Sequence, residues 1–264
     1  MSLPILPLAL AALIAYTVAA WRAAHGATNN QGTLALLVGL GLHALVLVGS
    51  LQLAGGRLGL SQALSLVTWQ TALLLALLWR VQTLWPLRTA IYPLAAAGAL
   101  VAALWPSQTG AQAPHDWKIA LHVALSIFAA GLLTLAAAQA VALAVFDRLL
   151  HRPDQLTRAL RMPPMQSAED WLFQLIAAGF FVLSLALLSG LIFVDNLFAQ
   201  HLAHKTALSI LAWAIFGALL LGRRRWGWRG RRAVRWALSG YVAFLLAYFG
   251  SKLVLEQLLG RHWS

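Results

Sequence analysis

Eight long apolar runs decide what this chain can fold into. They cover roughly residues 3–21, 33–54, 61–79, 88–105, 118–146, 170–194, 206–222 and 233–257. About 20 apolar residues in a helix cross the hydrocarbon core of a bilayer. Loops and open sheet edges cannot lie in lipid, because their peptide groups would find no hydrogen-bond partner there. The expected fold class is therefore all-α: a polytopic membrane bundle of about eight transmembrane helices, forming a single integral membrane domain over residues 1–264.

Composition points the same way. Of the 264 residues, 61% are hydrophobic and 10% charged, with a mean hydropathy of +0.77. A water-soluble domain carries about 25% charged residues to cover its surface, and this chain cannot cover itself that way. Its first run is expected to be a retained helix rather than a cleaved leader. A leader begins with basic residues, whereas "MSLPILPLAL" has none and Arg22 follows the apolar run.

The net charge of +12 does not indicate a nucleic-acid partner, because most of the basic residues sit in the connections between runs or at the run ends. With the N-terminus outside, the inner loops 22–32, 80–88, 147–169 and 223–235 hold 14 of the 19 lysines and arginines. Arg57, Lys118, Lys205, Lys252 and Arg261 are left outside. Positive residues accumulate in cytoplasmic loops, so both termini are expected to be periplasmic. The cluster "RRRWGWRGRRAVR" (223–235) reads mainly as a topology signal suited to anionic headgroups, with docking of a cytosolic partner as the other reading.

No cysteine is present. That excludes disulfides, thiolate catalysis, and covalent attachment of haem to this chain. Six of the eight histidines fall in the outer half or within a run. His25 and His151 lie among the inner arginines and read as solvated, as does His115 in the outer loop "PSQTGAQAPHDW".

His43, in "LLVGLGLHALVLVGSL", sits near the middle of the second run. An ionisable residue at that depth is costly and faces a partner inside the bundle; it is either a ligand or an imidazole tied to a neighbouring helix. His122 lies about one turn into the fifth run, with the small residues Ser126 and Ala129 on its face, so a helix or a flat ligand can approach. His201, His204 and Lys205, in "AQHLAHKTAL", stand between the sixth and seventh runs on the outer side. The i, i+3 histidine pair could face one way, but a zinc site needs further ligands, and few outer carboxylates accompany it.

Thr206, Ser209 and Trp213 share a face of the seventh run, expected to point inward. On the eighth, Lys252 is four residues before Glu256, a pair in reach on a helix; otherwise Lys252 could meet a ligand's carboxylate. His262 follows this run, beside Trp263.

Two facing imidazoles are a common protein contribution to six-coordinate haem, and tryptophans and cationic side chains could cover its ring and meet its propionates. On the residues alone, this stands beside two other readings, a proton relay and a structural polar network.

Four segments carry a further resemblance: "GLHALVLVGSL…GRLGLSQALSLVTWQ", "LHVALSIFAAGLLTLAAAQAVALAVFDRLL", "PPMQSAEDWLFQLIAAGFFVLSLALLSGLIF", and the stretch from "HLAHKTALSILAWAIFGALLLGRRRW" to "GSKLVLE". In this order they resemble the membrane cytochrome c assembly proteins of the haem-handling superfamily (CcsA-type, with CcmC- and HemX-type relatives). The short proteobacterial YpjD branch is the nearest likeness. The likeness runs from about residue 33 almost to the end, and the last segment is the most specific.

The resemblance implies non-covalent haem b held near the outer face by two axial histidines, with His122 matching the first and His262 the second by position. It matches His43 to a histidine within the membrane, and places His201, His204 and Lys205 where the family presents haem to an apocytochrome. Trp213 and Lys252 would belong to the same site. The chain departs from the family at the tryptophan-rich outer loop (the WWD motif), which is replaced by "DNLFAQHLAHKT", without tryptophan.

The leading expectation is thus a haem-binding protein of the bacterial inner membrane. Its expected partners are haem, the lipid bilayer, and another membrane protein or an apocytochrome, with no nucleic acid. A HemX-like regulator of haem synthesis or of a partner, acting through the basic cytoplasmic loops without stable haem, is the alternative. A transporter ranks third, since no internal repeat is evident. Nothing resembles a nucleophile–base pair, a phosphate loop or a hydrolase metal motif, so no enzymatic activity is expected.

Overall fold

The computed structural model describes residues 4–25, 30–105, 111–112, 116–151, 164–193 and 200–247. These form eight α-helices: α1 (Ile5–Ala24), α2 (Asn30–Leu53), α3 (Leu60–Leu77), α4 (Arg88–Leu104), α5 (Trp117–Leu150), α6 (Met165–Phe193), α7 (Gln200–Trp226) and α8 (Gly230–Leu245). A 3₁₀ segment, Gln82–Leu87, leads into α4. Seven of the described segments are long and apolar enough to cross a membrane: α1, α2, α3, the 3₁₀ segment continued into α4, α5, α6 and the Lys205–Trp226 part of α7. The chain is an all-α, multi-pass membrane protein. The expected eighth run, 233–257, begins within α8, and its part beyond Ala247 lies outside the described residues.

A two-residue antiparallel ladder, β1 (Arg57–Leu58) with β2 (Ala111–Gln112), pairs Arg57 with Gln112 and Leu58 with Ala111. The apolar runs gave no hint of it, because it joins two polar connections far apart in sequence.

The chain divides into two compact units: Met1–Pro114 with Leu149–Ala168, and His115–Arg148 with Glu169–Ser264. In the first, α1 packs chiefly on α2 and α4, and α3 on α4. These helices are apolar on every side, so hydrophobicity alone cannot select which face is buried. Lipid tails are as apolar as leucine, and close packing of small residues makes the choice instead. Ile5, Ala9, Ala12, Tyr16 and Ala19 form the buried stripe of α1, and Ala95, Ala96, Ala99 and Ala102 that of α4. Bulky Ile14 and Leu34 are left 64% and 63% exposed, the arrangement that suits contact with lipid.

The exception in composition is α3, whose buried side is polar: Ser61, Gln62, Ser65, Thr68 and Thr71. Hydroxyls in a lipid-embedded helix can satisfy themselves on the preceding turn. Thr71 Oγ1 donates to the Val67 carbonyl at 2.7 Å and Thr68 Oγ1 to that of Ser65 at 2.9 Å. Trp69 Nε1 donates to the Leu40 carbonyl at 2.9 Å, tying α3 to α2.

In the second unit the same small-residue logic holds on α5, where Ala129, Ala130, Leu133, Ala136, Ala137 and Ala140 are buried. The turn between α7 and α8 is built on two glycines with positive φ, Gly227 (64°) and Gly230 (56°). The Gly227 amide bonds the Arg223 carbonyl at 3.2 Å, which ends α7 with a left-handed cap.

Candidate functional site

The arginine-rich segment is tied to carboxylates of α5 and α6. Glu169, 7% exposed, accepts the Gly230 amide on Oε1 at 2.8 Å and Arg229 Nε on Oε2 at 3.3 Å. Asp170 accepts Arg223 Nη2 at 3.1 Å, and Asp147 accepts Arg231 Nε at 2.8 Å. Trp228 lies 5.9 Å from Trp226 and 5.1 Å from Trp236, centroid to centroid. Three arginines read from sequence mainly as topology signals are therefore also structural, held by carboxylates on α5 and α6. Arg224, Arg225, Arg232 and Arg235 remain exposed.

His43 is fully buried at 0% exposure. Its Nε2 lies 2.8 Å from Ser65 Oγ and its Nδ1 3.4 Å from Tyr16 Oη. The Tyr16 ring meets the imidazole edge-on at 5.9 Å and packs on Tyr92 at 6.4 Å. One imidazole thus joins α1, α2 and α3. Both its nitrogens are engaged, so any ligand would have to displace a hydroxyl first.

His122 has the opposite arrangement. It is half-buried on α5, and its Nδ1 lies 3.0 Å from the Ala186 carbonyl and 3.1 Å from Ser189 Oγ on α6. Ser189 Oγ itself donates to the Ala186 carbonyl at 2.8 Å. A carbonyl only accepts, so Nδ1 carries the ring proton and Nε2 keeps its lone pair. Among the described residues Nε2 has no hydrogen-bond partner. This is how proteins prepare a histidine as a metal ligand: the second ring nitrogen donates to a carbonyl, which fixes tautomer and orientation.

Space for the ring comes from α6. A Cβ at Gly190 would stand 3.1 Å from His122 Cε1, so a larger residue there would press on the ring. Ser126 Oγ donates to the His122 carbonyl at 2.8 Å, leaving the imidazole itself untouched. Thr134 Oγ1 and Tyr241 Oη, 2.9 Å apart, tie α5 to α8 deeper in the same unit.

The remaining expected site residues divide. His201 and His204 lie within α7, not in a loop, because the helix begins at Gln200; their side chains lie outside the described residues. Lys205 is half-buried on the same helix. Thr206 and Ser209 are half-buried as well, and Trp213, 38% exposed, is turned toward α6. The Trp213 ring stacks on Phe180 at 5.4 Å and its Nε1 donates to Ser184 Oγ at 2.8 Å. His262 and Lys252 lie outside the described residues, as does His115. His25 caps α1, its Nδ1 donating to the Trp21 carbonyl at 2.8 Å.

Within the second unit, then, the structure brings His122 together with Ala186, Ser189 and Gly190, none of which the sequence reading singled out. The signal was there in "LLSGLIF": two small residues side by side in a run otherwise made of leucine, isoleucine and phenylalanine. Among the described residues no three histidine or carboxylate side chains gather as a metal site.

Comparison with known proteins gives this geometry a setting. A family profile described as "Cytochrome C assembly protein" matches residues 28–259. The "Inner membrane protein YpjD" of Escherichia coli strain K12 is 31% identical over 257 residues, which cover 94% of this chain and 97% of the relative. An "Uncharacterized 28.8 kDa protein in nifR3-like 5'region" of Azospirillum brasilense is 38% identical over 152 residues, 56% of this chain and 55% of that one. The "Cytochrome c biogenesis protein CcsA" of Trichormus variabilis is 24% identical over 113 residues, 42% of this chain and 32% of that one. No solved structure matches the chain.

Proposed function

Since the chain belongs to the cytochrome c assembly protein family, we propose that it is a haem-binding protein of the bacterial inner membrane. It would hold haem b non-covalently near the periplasmic face, for delivery or for regulation of a partner, and would transform no substrate. The observation that carries this reading is the His122 imidazole, oriented through Nδ1 with Nε2 left to ligate. A bis-histidine haem would take a second imidazole, and in this reading His262 would supply it.

The residues present suit that cargo. His122 supplies a nitrogen lone pair, the Ala186 carbonyl and Ser189 hydroxyl hold the ring, and Gly190 leaves its edge clear. His201, His204 and Lys205 begin α7, at the end of this unit where His122 lies near the start of α5. They are assigned to the approach of the acceptor, with Lys205 and Lys252 suited to the propionates. Haem held there would supply an iron that His122 and His262 would ligate. His43, with both nitrogens occupied by Tyr16 and Ser65, is assigned a structural role in this reading.

The test is the absorption spectrum of detergent-purified protein, oxidised and reduced, for wild type, His122→Ala and His262→Ala. A low-spin bis-imidazole spectrum in wild type that either substitution removes is the expected result. A wild type that stays colourless when haem is supplied overturns it, and moves the function to the basic loops and a regulated partner.

A further inference from the structure

A cavity of about 600 Å³ opens in the first unit, at the end of α1–α4 where Arg22, Arg80 and Arg88 lie. That volume is within the usual range for small-molecule sites. Its walls are mainly apolar or aromatic, including Ala23, Leu37, Trp79, Trp85 and Tyr92, with Asn30 and Thr33 as neutral polar members, and the one charged residue among them is Arg88. Among the described residues no carboxylate lines it.

Arg88 is held in place but not satisfied. Its Nη2 donates to the Trp79 carbonyl at 3.3 Å, and its guanidinium lies over the Trp85 ring at 5.1 Å. Trp85 Nε1 donates to that same carbonyl at 3.1 Å, fixing the indole. Arg88 Nε is buried with no hydrogen-bond partner. A guanidinium has five donors in a rigid fork that matches a carboxylate or phosphate, and leaving a buried charged donor unmade is costly. Among the described residues, the wall therefore presents a pre-oriented cation with no carboxylate beside it.

Two features select the source of the anion. Leu37 and Trp79 line the cavity and are also 58% and 60% exposed, so the site is continuous with the lipid-facing surface. Tryptophans at the ends of transmembrane helices sit at headgroup depth, and this is the end rich in arginine. We propose that this cavity binds an anionic phospholipid, with its phosphodiester on Arg88 and its acyl chains leaving over Leu37 and Trp79.

The experiment measures lipid retained by the full-length, delipidated protein, by native mass spectrometry and by thermal shift. Phosphatidylglycerol, phosphatidylethanolamine and inorganic phosphate are each added in turn. Saturable retention of one phosphatidylglycerol, with a rise in Tm, is the expected result. Arg88→Gln should weaken it about 10- to 100-fold, the loss expected for a hydrogen bond to a charged group. Because Arg88 also contacts Trp79 and Trp85, Ala23→Phe provides a second variant that fills the cavity and keeps the arginine; it too should abolish retention.

Equal retention by wild type and Ala23→Phe would overturn the site. Phosphatidylethanolamine binding as well as phosphatidylglycerol would overturn the charge selection. A shift produced by inorganic phosphate alone would replace the lipid with a free anion.

Discussion

The Glu169 carboxylate accepts the backbone amide of Gly230 at 2.8 Å across 61 residues of sequence. Gly230 is the first residue of α8, so a side chain on α6 caps the N-terminus of a helix it does not belong to. A carboxylate at that end also opposes the positive pole of the helix dipole. Glu169→Ala would leave a half-buried amide unpaired and release Arg229; a loss of about 1–3 kcal/mol is expected. Glu169→Gln, which keeps an acceptor, should lose less. Thermal denaturation in detergent followed by helical circular dichroism ranks the three proteins, and equal midpoints would refute the cap.

Gly190 is predicted to control His122. Gly190→Val places a branched side chain where a Cβ already stands 3.1 Å from His122 Cε1, and turns the imidazole off its Ala186 carbonyl. Haem affinity should fall by about 10- to 100-fold, the usual effect of disturbing a residue that orients a metal ligand. Haem titration monitored at the Soret band reads this directly. Unchanged affinity with native helicity would show that the ring is not held as described.

Gly98 on α4 is predicted to be intolerant of any side chain. A Cβ there would collide with Thr68 Oγ1 and stand 3.4 Å from the Ser65 Cα. Gly98→Ala should destabilise by about 1–3 kcal/mol, the usual cost of overpacking. Thr68→Ala in the same background should restore part of that loss. A double mutant no more stable than Gly98→Ala would show that the clash is relieved elsewhere.

His43 and His122 should separate by assay. His43→Leu strands the hydroxyls of Tyr16 and Ser65 in a buried setting and is expected to cost about 2–3 kcal/mol. Its haem spectrum should persist, whereas His122→Ala should lose the spectrum with little loss of stability. The reverse outcome would make His43 the ligand.

Much of the fold is legible in the sequence because lipid imposes a length. The third run, expected over 61–79, is α3 at Leu60–Leu77, and the fourth, expected over 88–105, is α4 at Arg88–Leu104. Longer deviations occur where a helix continues past the bilayer core. α6 begins at Met165, five residues before the expected start, because Pro164 allows helical entry and Glu169 and Asp170 are neutralised by arginines of another segment. The site was less legible. His122 could be found as an imidazole in an apolar run, but its tautomer depends on a carbonyl 64 residues away, and no local pattern encodes that. For Trp213 the limit is related: helical spacing gives a face, and only the neighbour, here Phe180, decides what that face meets.

The alanine stripe of α1 reverses the usual ranking of dangerous substitutions. In a water-soluble core, harm usually follows from atoms taken away. Here Ala9 and Ala12 are at 0% exposure against neighbouring helices, while Ile14 is 64% exposed, so trimming the leucines and isoleucines of the outer faces changes little that the fold depends on. A single added methyl group along the inner stripe is the more damaging event. Harmful variants of this half should therefore cluster at its smallest residues, positions that a hydrophobicity profile would pass over as interchangeable.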